Sequence, residues 1–183
     1  SKPEGCTEAT VFGPFFVENA PEYKLGDDVA NGAPGKPCFV TGFIRGSQGE
    51  AIGNAKIDVW QADDEGFYDV QKPDLKHAQA RGTLHSNSEG QYYFRTVVAE
   101  PYPIPTDGPV GKLLNTTGRP SMRPAHLHFM IEAPGYETLI THVFRRDDEY
   151  LEADPVIGVR ESLVADWIVQ ADGITKLEFN FVL

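Results

Sequence analysis

Two histidines separated by a single residue are the first candidates for chemistry in this sequence. They lie in the segment Arg123-Pro-Ala-His-Leu-His-Phe129. On a β-strand alternate side chains share a face, so His126 and His128 would point one way while Leu127 and Phe129 enter the core. Two neutral imidazoles on one face can ligate a single metal ion. The alternative is a pair of surface or hydrogen-bonded histidines.

A metal site would need further ligands, and two tyrosines stand out by their context. No third histidine lies nearby in the sequence, and the carboxylates are too numerous to single one out. Tyr68 lies in the turn-rich Asp64-Glu-Gly-Phe-Tyr-Asp69, and Tyr102 lies in Pro101-Tyr-Pro-Ile-Pro105, where flanking prolines restrict its backbone. A tyrosine by itself is typical of a packing residue with a polar tip, so spacing alone nominates neither one.

The elements that must position these residues are short strands. Segments with a period of two, rich in β-branched and aromatic residues, alternate with turn signals such as Ser88-Glu-Gly and Ala133-Pro-Gly. The strand-like segments are Cys38 to Arg45, Ala55 to Gln61, Gly90 to Val97, His126 to Ala133, Leu139 to Phe144 and Lys176 to Leu183. We expect a mainly β, antiparallel β-sandwich in one domain spanning residues 1–183. The only expected helix is a short one over Arg160 to Gln170, and a long, proline- and glycine-rich functional loop is expected over Val98 to Pro124.

Composition narrows the class of protein. The chain has 183 residues, of which 40% are hydrophobic, and this suits one globular domain. Its net charge of −11 makes a nucleic-acid partner unexpected, since no basic stripe offsets it. No segment has the pattern of a membrane span or a signal peptide. The two cysteines, Cys6 and Cys38, favour free thiols and a cytoplasmic location, although one disulfide between them remains an alternative.

The motifs resemble those of the intradiol ring-cleaving dioxygenases, in the same order and with suitable gaps. The resemblance runs from about Thr10 to Trp167. The segments that carry it are Gly66-Phe-Tyr68, Pro101-Tyr-Pro-Ile-Pro-Thr-Asp-Gly-Pro109, Arg123-Pro-Ala-His-Leu-His128 and Ala133-Pro-Gly-Tyr136. It implies a β-sandwich catalytic core and an Fe(III) cofactor, with Tyr68, Tyr102, His126 and His128 as the metal ligands. It also implies that a substrate with two adjacent hydroxyls displaces Tyr102, and that Arg123 stabilises negative charge on the ring.

The implied ligand set is chemically consistent with ferric iron. Phenolate and imidazole suit a hard trivalent ion, whereas zinc sites usually contain histidine, cysteine or carboxylate. A free tyrosine titrates at a pKa of about 10, so the metal must hold each ligand tyrosine as its anion. Two phenolates and one hydroxide would neutralise the charge of Fe(III), which matters in a poorly solvated pocket.

Within this family, the pocket segments resemble those of hydroxyquinol 1,2-dioxygenases more than those of catechol 1,2-dioxygenases. The resemblance implies substrate-binding roles for Val11, Phe12, Gly13, Pro14, Phe15, Ile104, Pro105, Arg123, His142 and Val156. His142 stands where many catechol enzymes have glutamine. The expected reaction inserts O2 into hydroxyquinol (benzene-1,2,4-triol) to give 3-hydroxy-cis,cis-muconate and hence maleylacetate. Catechol, cleaved to cis,cis-muconate, is the alternative, and each apolar pocket residue could instead belong to the core.

The sequence departs from the family at its start. Bacterial members carry a helical segment before the catalytic core, and here the core pattern begins almost at once, so we expect this segment to be absent or removed. The dimer that it forms is therefore in doubt. Two rivals remain: a non-catalytic prealbumin-like sandwich module, suggested by the segment Val40 to Trp60, and a zinc or iron(II) site in which His126 and His128 are joined by a carboxylate.

Overall fold

The computed structural model describes residues 4–103, 122–151 and 159–183. No α-helix occurs in these residues, and the helical elements are short 3-10 turns such as Asp69–Gln71 and Glu161–Leu163. The strands are β1 (Pro37–Arg45), β2 (Lys56–Gln61), β3 (Arg81–His85), β4 (Gln91–Val97), β5 (Tyr102–Pro103), β6 (Met122–Arg123), β7 (His126–Glu132), β8 (Leu139–Arg145), β9 (Val164–Ala165), β10 (Trp167–Val169), β11 (Thr175–Glu178) and β12 (Phe181–Val182).

One five-stranded sheet is built around β1. Its order is β10-β11-β1-β12, and β4 pairs with β1 as well. The β1–β4 and β10–β11 pairs are antiparallel, whereas β11 and β12 each run parallel to β1. β11 and β12 are separated at Phe179, whose backbone N–H donates to the Thr41 carbonyl. The last predicted strand is therefore two short strands that follow different parts of β1.

The second five-stranded sheet carries the candidate chemistry. Its order is β3-β2-β7-β8-β9, antiparallel except for the β8–β9 pair. In its register His128 of β7 lies between Trp60 of β2 and His142 of β8. These three side chains therefore form a row across one face of the sheet.

The two faces of this sheet bury different residues. Leu127, Phe129 and Ile131 of β7 enter the main hydrophobic core between the sheets. Met130 packs on the other face in a smaller cluster, which includes Trp60, Tyr68 and Tyr102. Since β7 is buried on both faces, its two histidines lie in the interior and not at the surface.

The mainly β architecture predicted from the sequence is confirmed, with three differences. Three parallel strand pairs make both sheets mixed. The predicted helix over Arg160 to Gln170 is wrong, because that segment forms the 3-10 turn Glu161–Leu163 and then β9 and β10. Backbone pairing of β9 with β8 and of β10 with β11 outweighs the weak helical pattern. The strand β3 is an element that the sequence analysis did not predict.

The expected long loop over Val98 to Pro124 lies mostly outside the described residues, which resume at Met122. Within the part of the chain that the structure describes, no helix is long and apolar enough to cross a membrane.

Candidate metal centre

The candidate centre starts from the two histidines of β7, whose Nε2 atoms lie 3.0 Å apart. Both side chains are almost fully buried. The Nδ1–H of His126 donates to the Pro124 carbonyl at 2.7 Å, so its Nε2 carries a free lone pair. A ligating histidine is typically held in this way, with the far ring nitrogen bonded to a carbonyl that sets its tautomer.

Tyr68 reaches these histidines from the loop that follows β2. Its hydroxyl lies 2.9 Å from Nε2 of His128 and 3.3 Å from Nε2 of His126. Before it, a carboxylate oxygen of Asp63 accepts hydrogen bonds from the backbone N–H groups of Glu65 and Phe67. The loop is thus tied into a tight turn immediately before the tyrosine.

The residues after Tyr68 fix the loop from the other side. The Tyr68 backbone N–H donates to the Gln71 side chain at 2.9 Å. Asp69 receives hydrogen bonds from the Nε and Nη2 groups of Arg81, at 2.8 and 2.6 Å, and both side chains of this ion pair are buried. Such a fork-like pair holds its partners in a defined geometry.

Tyr102 and Arg123 lie directly opposite each other in the β5–β6 pair. The Arg123 Nη1–H donates to the Tyr102 hydroxyl at 3.0 Å, and both residues are 3% exposed. The ring of Tyr102 is perpendicular to that of Tyr68, with centroids 5.3 Å apart. The structure therefore brings Tyr68, His126 and His128 into direct contact and places Tyr102 and Arg123 beside them.

Burial dominates the electrostatics of this cluster. It raises the pKa of Tyr68 well above the usual value, with a further contribution from Tyr102, while Arg123 opposes the shift. It lowers the pKa values of His126 and His128 well below the usual value, and nearby positive charge lowers them further. At neutral pH the histidines are uncharged and available as ligands. Tyr68 without a cation would be protonated.

His142 is a third histidine in the cluster, contributed by β8. Its ring centroid lies 4.2 Å from that of His128 and 4.9 Å from that of His126. Ring nitrogens of the three histidines lie within 4.8 Å of one another, which makes them a possible metal-binding group. Burial, followed by the charge of Arg123, lowers the pKa of His142 to about 3. The predicted carboxylate rival lacks support here, because this group consists of histidines alone within the described chain.

The segment from Thr10 to Phe16 covers one side of the centre. Phe15 stacks on Tyr68 with centroids 4.4 Å apart, and a Cβ added to Gly13 would lie 3.3 Å from Cε1 of His128. Val11 and Phe12 are 48% and 38% exposed, and Pro14 is exposed as well. Three further predicted pocket residues, Ile104, Pro105 and Val156, lie outside the described residues.

Two contributors to the centre were not singled out in the sequence. Trp60 stacks on His128 with centroids 4.8 Å apart and an interplanar angle of 12°. Thr10 contacts Nδ1 of His142 through its hydroxyl. The alternating pattern of apolar residues in β2 predicts that Trp60 is buried. No local sequence pattern predicts that its ring stacks on His128.

The donor set fits a bound metal ion. Ligand atoms at about 2.1 Å from one ion lie roughly 3.0–3.4 Å apart for bond angles between 90° and tetrahedral. The distances among the Tyr68 oxygen and the two Nε2 atoms are 2.9, 3.0 and 3.3 Å. Three buried acceptor-capable atoms at this spacing are readily explained by a cation between them.

Comparison with known proteins identifies the family of this chain. The family model described as dioxygenase, Dioxygenase_C, matches residues 11–183. The chain belongs to this dioxygenase family. The match confirms the resemblance recognised from the motifs, and the family implies a non-haem metal, for which the histidine-rich cluster is the candidate site.

Individual relatives match nearly all of this chain. It is 61% identical over 182 residues to 6-chlorohydroxyquinol 1,2-dioxygenase of Cupriavidus pinatubonensis, covering 100% of this chain and 66% of that protein. The solved hydroxyquinol 1,2-dioxygenase of Pseudomonas putida DLL-E4 superposes with a TM-score of 0.89 at 41% identity, covering 97% of this chain and 66% of that one. Catechol 1,2-dioxygenase of Acinetobacter radioresistens has the same TM-score at 28% identity, covering 98% and 62%. The chain thus spans about two thirds of the length of these relatives.

Proposed function

We propose that this chain is the catalytic domain, over residues 1–183, of an Fe(III)-dependent intradiol dioxygenase that cleaves hydroxyquinol between its adjacent hydroxylated carbons. The convergence of the Tyr68 hydroxyl with the two Nε2 atoms of His126 and His128 carries this proposal. The products would be 3-hydroxy-cis,cis-muconate and then maleylacetate. The proposed partners are a small aromatic triol and O2, and the cytoplasmic location stays a prediction.

Iron(III) would be held by Tyr68, Tyr102, His126 and His128. Bound there, it would make the aromatic diol reactive toward O2. Burial disfavours the phenolate of Tyr68, and a bound cation would reverse that preference. The neutral state of both histidines leaves their lone pairs available.

Tyr102 and Arg123 are suited to handle the protons and charge of the substrate. The Tyr102 oxygen accepts a hydrogen bond from Arg123, so it would keep this partner while it takes up a proton from a substrate hydroxyl. Arg123 stays charged throughout and would stabilise negative charge that develops on the ring. Its burial strengthens that interaction, because little water screens it.

Four aromatic side chains, which we call the aromatic wall, would orient the flat ring of the substrate and exclude water. They are Phe12, Phe15, Phe16 and Trp60. Phe15 stacks on Tyr68, and Trp60 stacks on His128, so both ligands are shielded on one side by apolar rings. Phe12 and Phe16 extend this surface, with their centroids 4.7 Å apart. We assign substrate contacts to Val11 through Phe15 and to His142.

We assign hydroxyquinol rather than catechol as the substrate, because the chain is more similar to relatives that are named for hydroxyquinols. The relatives at 61% and 41% identity are named for hydroxyquinols, whereas the catechol enzyme of the same TM-score is 28% identical. The polar side chain of His142 lies among the ring contacts of the centre and offers the wall a hydrogen-bonding group. Catechol remains the alternative substrate.

The test combines metal analysis, a visible spectrum and turnover. Purified protein should contain about one iron per chain and show a strong phenolate-to-iron charge-transfer band. That band should shift on anaerobic addition of hydroxyquinol, and under O2 hydroxyquinol should be consumed faster than catechol. Iron-containing but colourless protein would exclude tyrosinate ligands. A clear preference for catechol would overturn the substrate assignment, and a metal-free, inactive protein would favour the non-catalytic sandwich module.

A further inference from the structure

The hydroxyl of Thr10 is hydrogen-bonded to Nδ1 of His142. Thr10 is well placed to hold that ring, because its own segment is hydrogen-bonded to β8. The Thr10 backbone N–H donates to the Ile140 carbonyl at 2.7 Å, and the Thr141 hydroxyl donates to the Glu8 carbonyl at 2.7 Å. The residues that make this contact therefore both lie on backbone segments that are hydrogen-bonded to each other.

The contact has a consequence for the tautomer of His142. An uncharged imidazole has one donor and one acceptor nitrogen. The Thr10 hydroxyl carries a proton, and Nδ1 of His142 is its hydrogen-bond partner in the described structure. If the hydroxyl donates to Nδ1, the ring proton resides on Nε2.

The Nε2 atom of His142 is the second observation. It is buried and has no hydrogen-bond partner within the described chain. A buried N–H without a partner is energetically unfavourable, so such groups generally mark the position of a ligand or an ordered water. His142 packs against both candidate ligand histidines, which places this unpaired group beside the metal centre.

We propose that Thr10 is a positioning residue that holds His142 as the Nε2–H tautomer, so that His142 donates a hydrogen bond to substrate in the metal centre. This assignment keeps His142 out of the ligand set, because a protonated Nε2 has no lone pair for the metal. With the opposite tautomer, Nε2 would carry a lone pair, and a ring nitrogen of His142 lies within 4.8 Å of ring nitrogens of His126 and His128. The inference rests on the proposed function for the identity of the substrate, but the tautomer does not depend on it.

The tautomer can be measured without turnover. Nitrogen-15 NMR of the full chain, with gallium(III) in place of iron, separates protonated from unprotonated ring nitrogens; if no gallium is taken up, the metal-free chain is used. We expect the wild type and Thr10→Ser to show a protonated Nε2 at His142. Thr10→Val, which keeps the shape but lacks the hydroxyl, should populate the other tautomer. A protonated Nδ1 in the wild type would overturn the proposal.

Measurements of kcat/KM and of melting temperature distinguish a positioning role of Thr10 from a role in packing alone. Thr10→Val should lower kcat/KM for hydroxyquinol roughly three- to tenfold, the worth of one hydrogen bond, and Thr10→Ser should retain it. In an His142→Gln background Thr10→Val should have no further effect on kcat/KM. Equal losses in the valine and serine variants, or a lowered melting temperature that accounts for the loss, would reduce Thr10 to a structural role. If the wild type cleaves neither hydroxyquinol nor catechol while the tautomer is as proposed, the proposed function fails and the positioning role stands.

Discussion

At the scale of single residues, two of the candidate ligands are oriented by contacts that lie away from the reactive atom. His126 donates its far N–H to a backbone carbonyl, and Tyr68 is held by its backbone N–H and by stacking on Phe15. Tyr102 is held through Arg123. Because the supports of His126 and Tyr68 act away from the ligand atoms, these two side chains are oriented before any ion binds.

Replacing Tyr68 with phenylalanine tests whether its oxygen is a ligand. Tyr68→Phe keeps the ring that packs on Phe15 but removes the oxygen, so we expect weakened iron retention, a bleached visible band and loss of ring cleavage. The matched control is Tyr92→Phe, since Tyr92 is also fully buried and donates to the Phe179 carbonyl at 2.6 Å. The control should lose about 1 kcal/mol of unfolding free energy and keep its iron and colour. Colour unchanged in Tyr68→Phe would remove this residue from the ligand set.

At the scale of elements, the loop before Tyr68 and the strand that carries Tyr102 approach at a position that requires glycine. A Cβ on Gly66 would lie 2.9 Å from the Pro101 carbonyl oxygen and 3.0 Å from Cβ of Tyr102. The φ of Gly66 is also +84°, which L side chains rarely adopt. Gly66 therefore brings the two candidate ligand tyrosines together.

Gly66→Ala should lower the unfolding free energy by more than backbone strain alone, and it should also reduce iron binding. The control is Gly135→Ala, because Gly135 has the same φ of +84° and a Cβ added there would meet nothing within 4 Å. We expect the control to lose about 1 kcal/mol of unfolding free energy. Gly66→Ala should lose more and also show reduced iron content and a shifted visible band. Equal losses in denaturant unfolding, with an unchanged band, would show that the approach to Tyr102 is not critical.

The elements themselves were predicted unevenly from sequence. β2, β7 and β8 follow from period-two alternation, and the histidines of β7 share a face as that alternation requires. The 160–170 segment was assigned to a helix in error, because its strands exist only through pairing with β8 and β11. Short strands of two or three residues carry too little pattern to be recognised alone.

At the scale of the whole molecule, the sandwich core isolates groups far from the candidate centre. Cys38 on β1 is buried in the main core, and burial raises the pKa of its thiol to about 12. Cys6 is only partly buried. Both are free thiols in this structure, as the sequence analysis favoured.

Alkaline pH should destabilise the fold through Cys38. The unfolded thiol ionises at a pKa of about 8.5, so above that pH the unfolded state loses its proton first, and stability falls as pH rises toward the folded pKa. Between about pH 8 and about pH 10, the wild type should lose up to about 2 kcal/mol more unfolding free energy than Cys38→Ala. Urea unfolding at the two pH values measures the difference. Equal losses of unfolding free energy in the wild type and in Cys38→Ala would show that the core does not raise the pKa of the Cys38 thiol.

The sequence by itself determined what depends on local periodicity and on motif identity: a mainly β chain, two histidines on one face of a strand, and membership of a dioxygenase family. Only the tertiary structure decided which side chains surround those histidines. The register of β7 against β2 and β8 places Trp60 and His142 on either side of His128, and the Thr10 segment then reaches His142. Alternation specifies the face of a side chain, but pairing register between distant segments specifies its neighbours, and that register is set by the folded core as a whole.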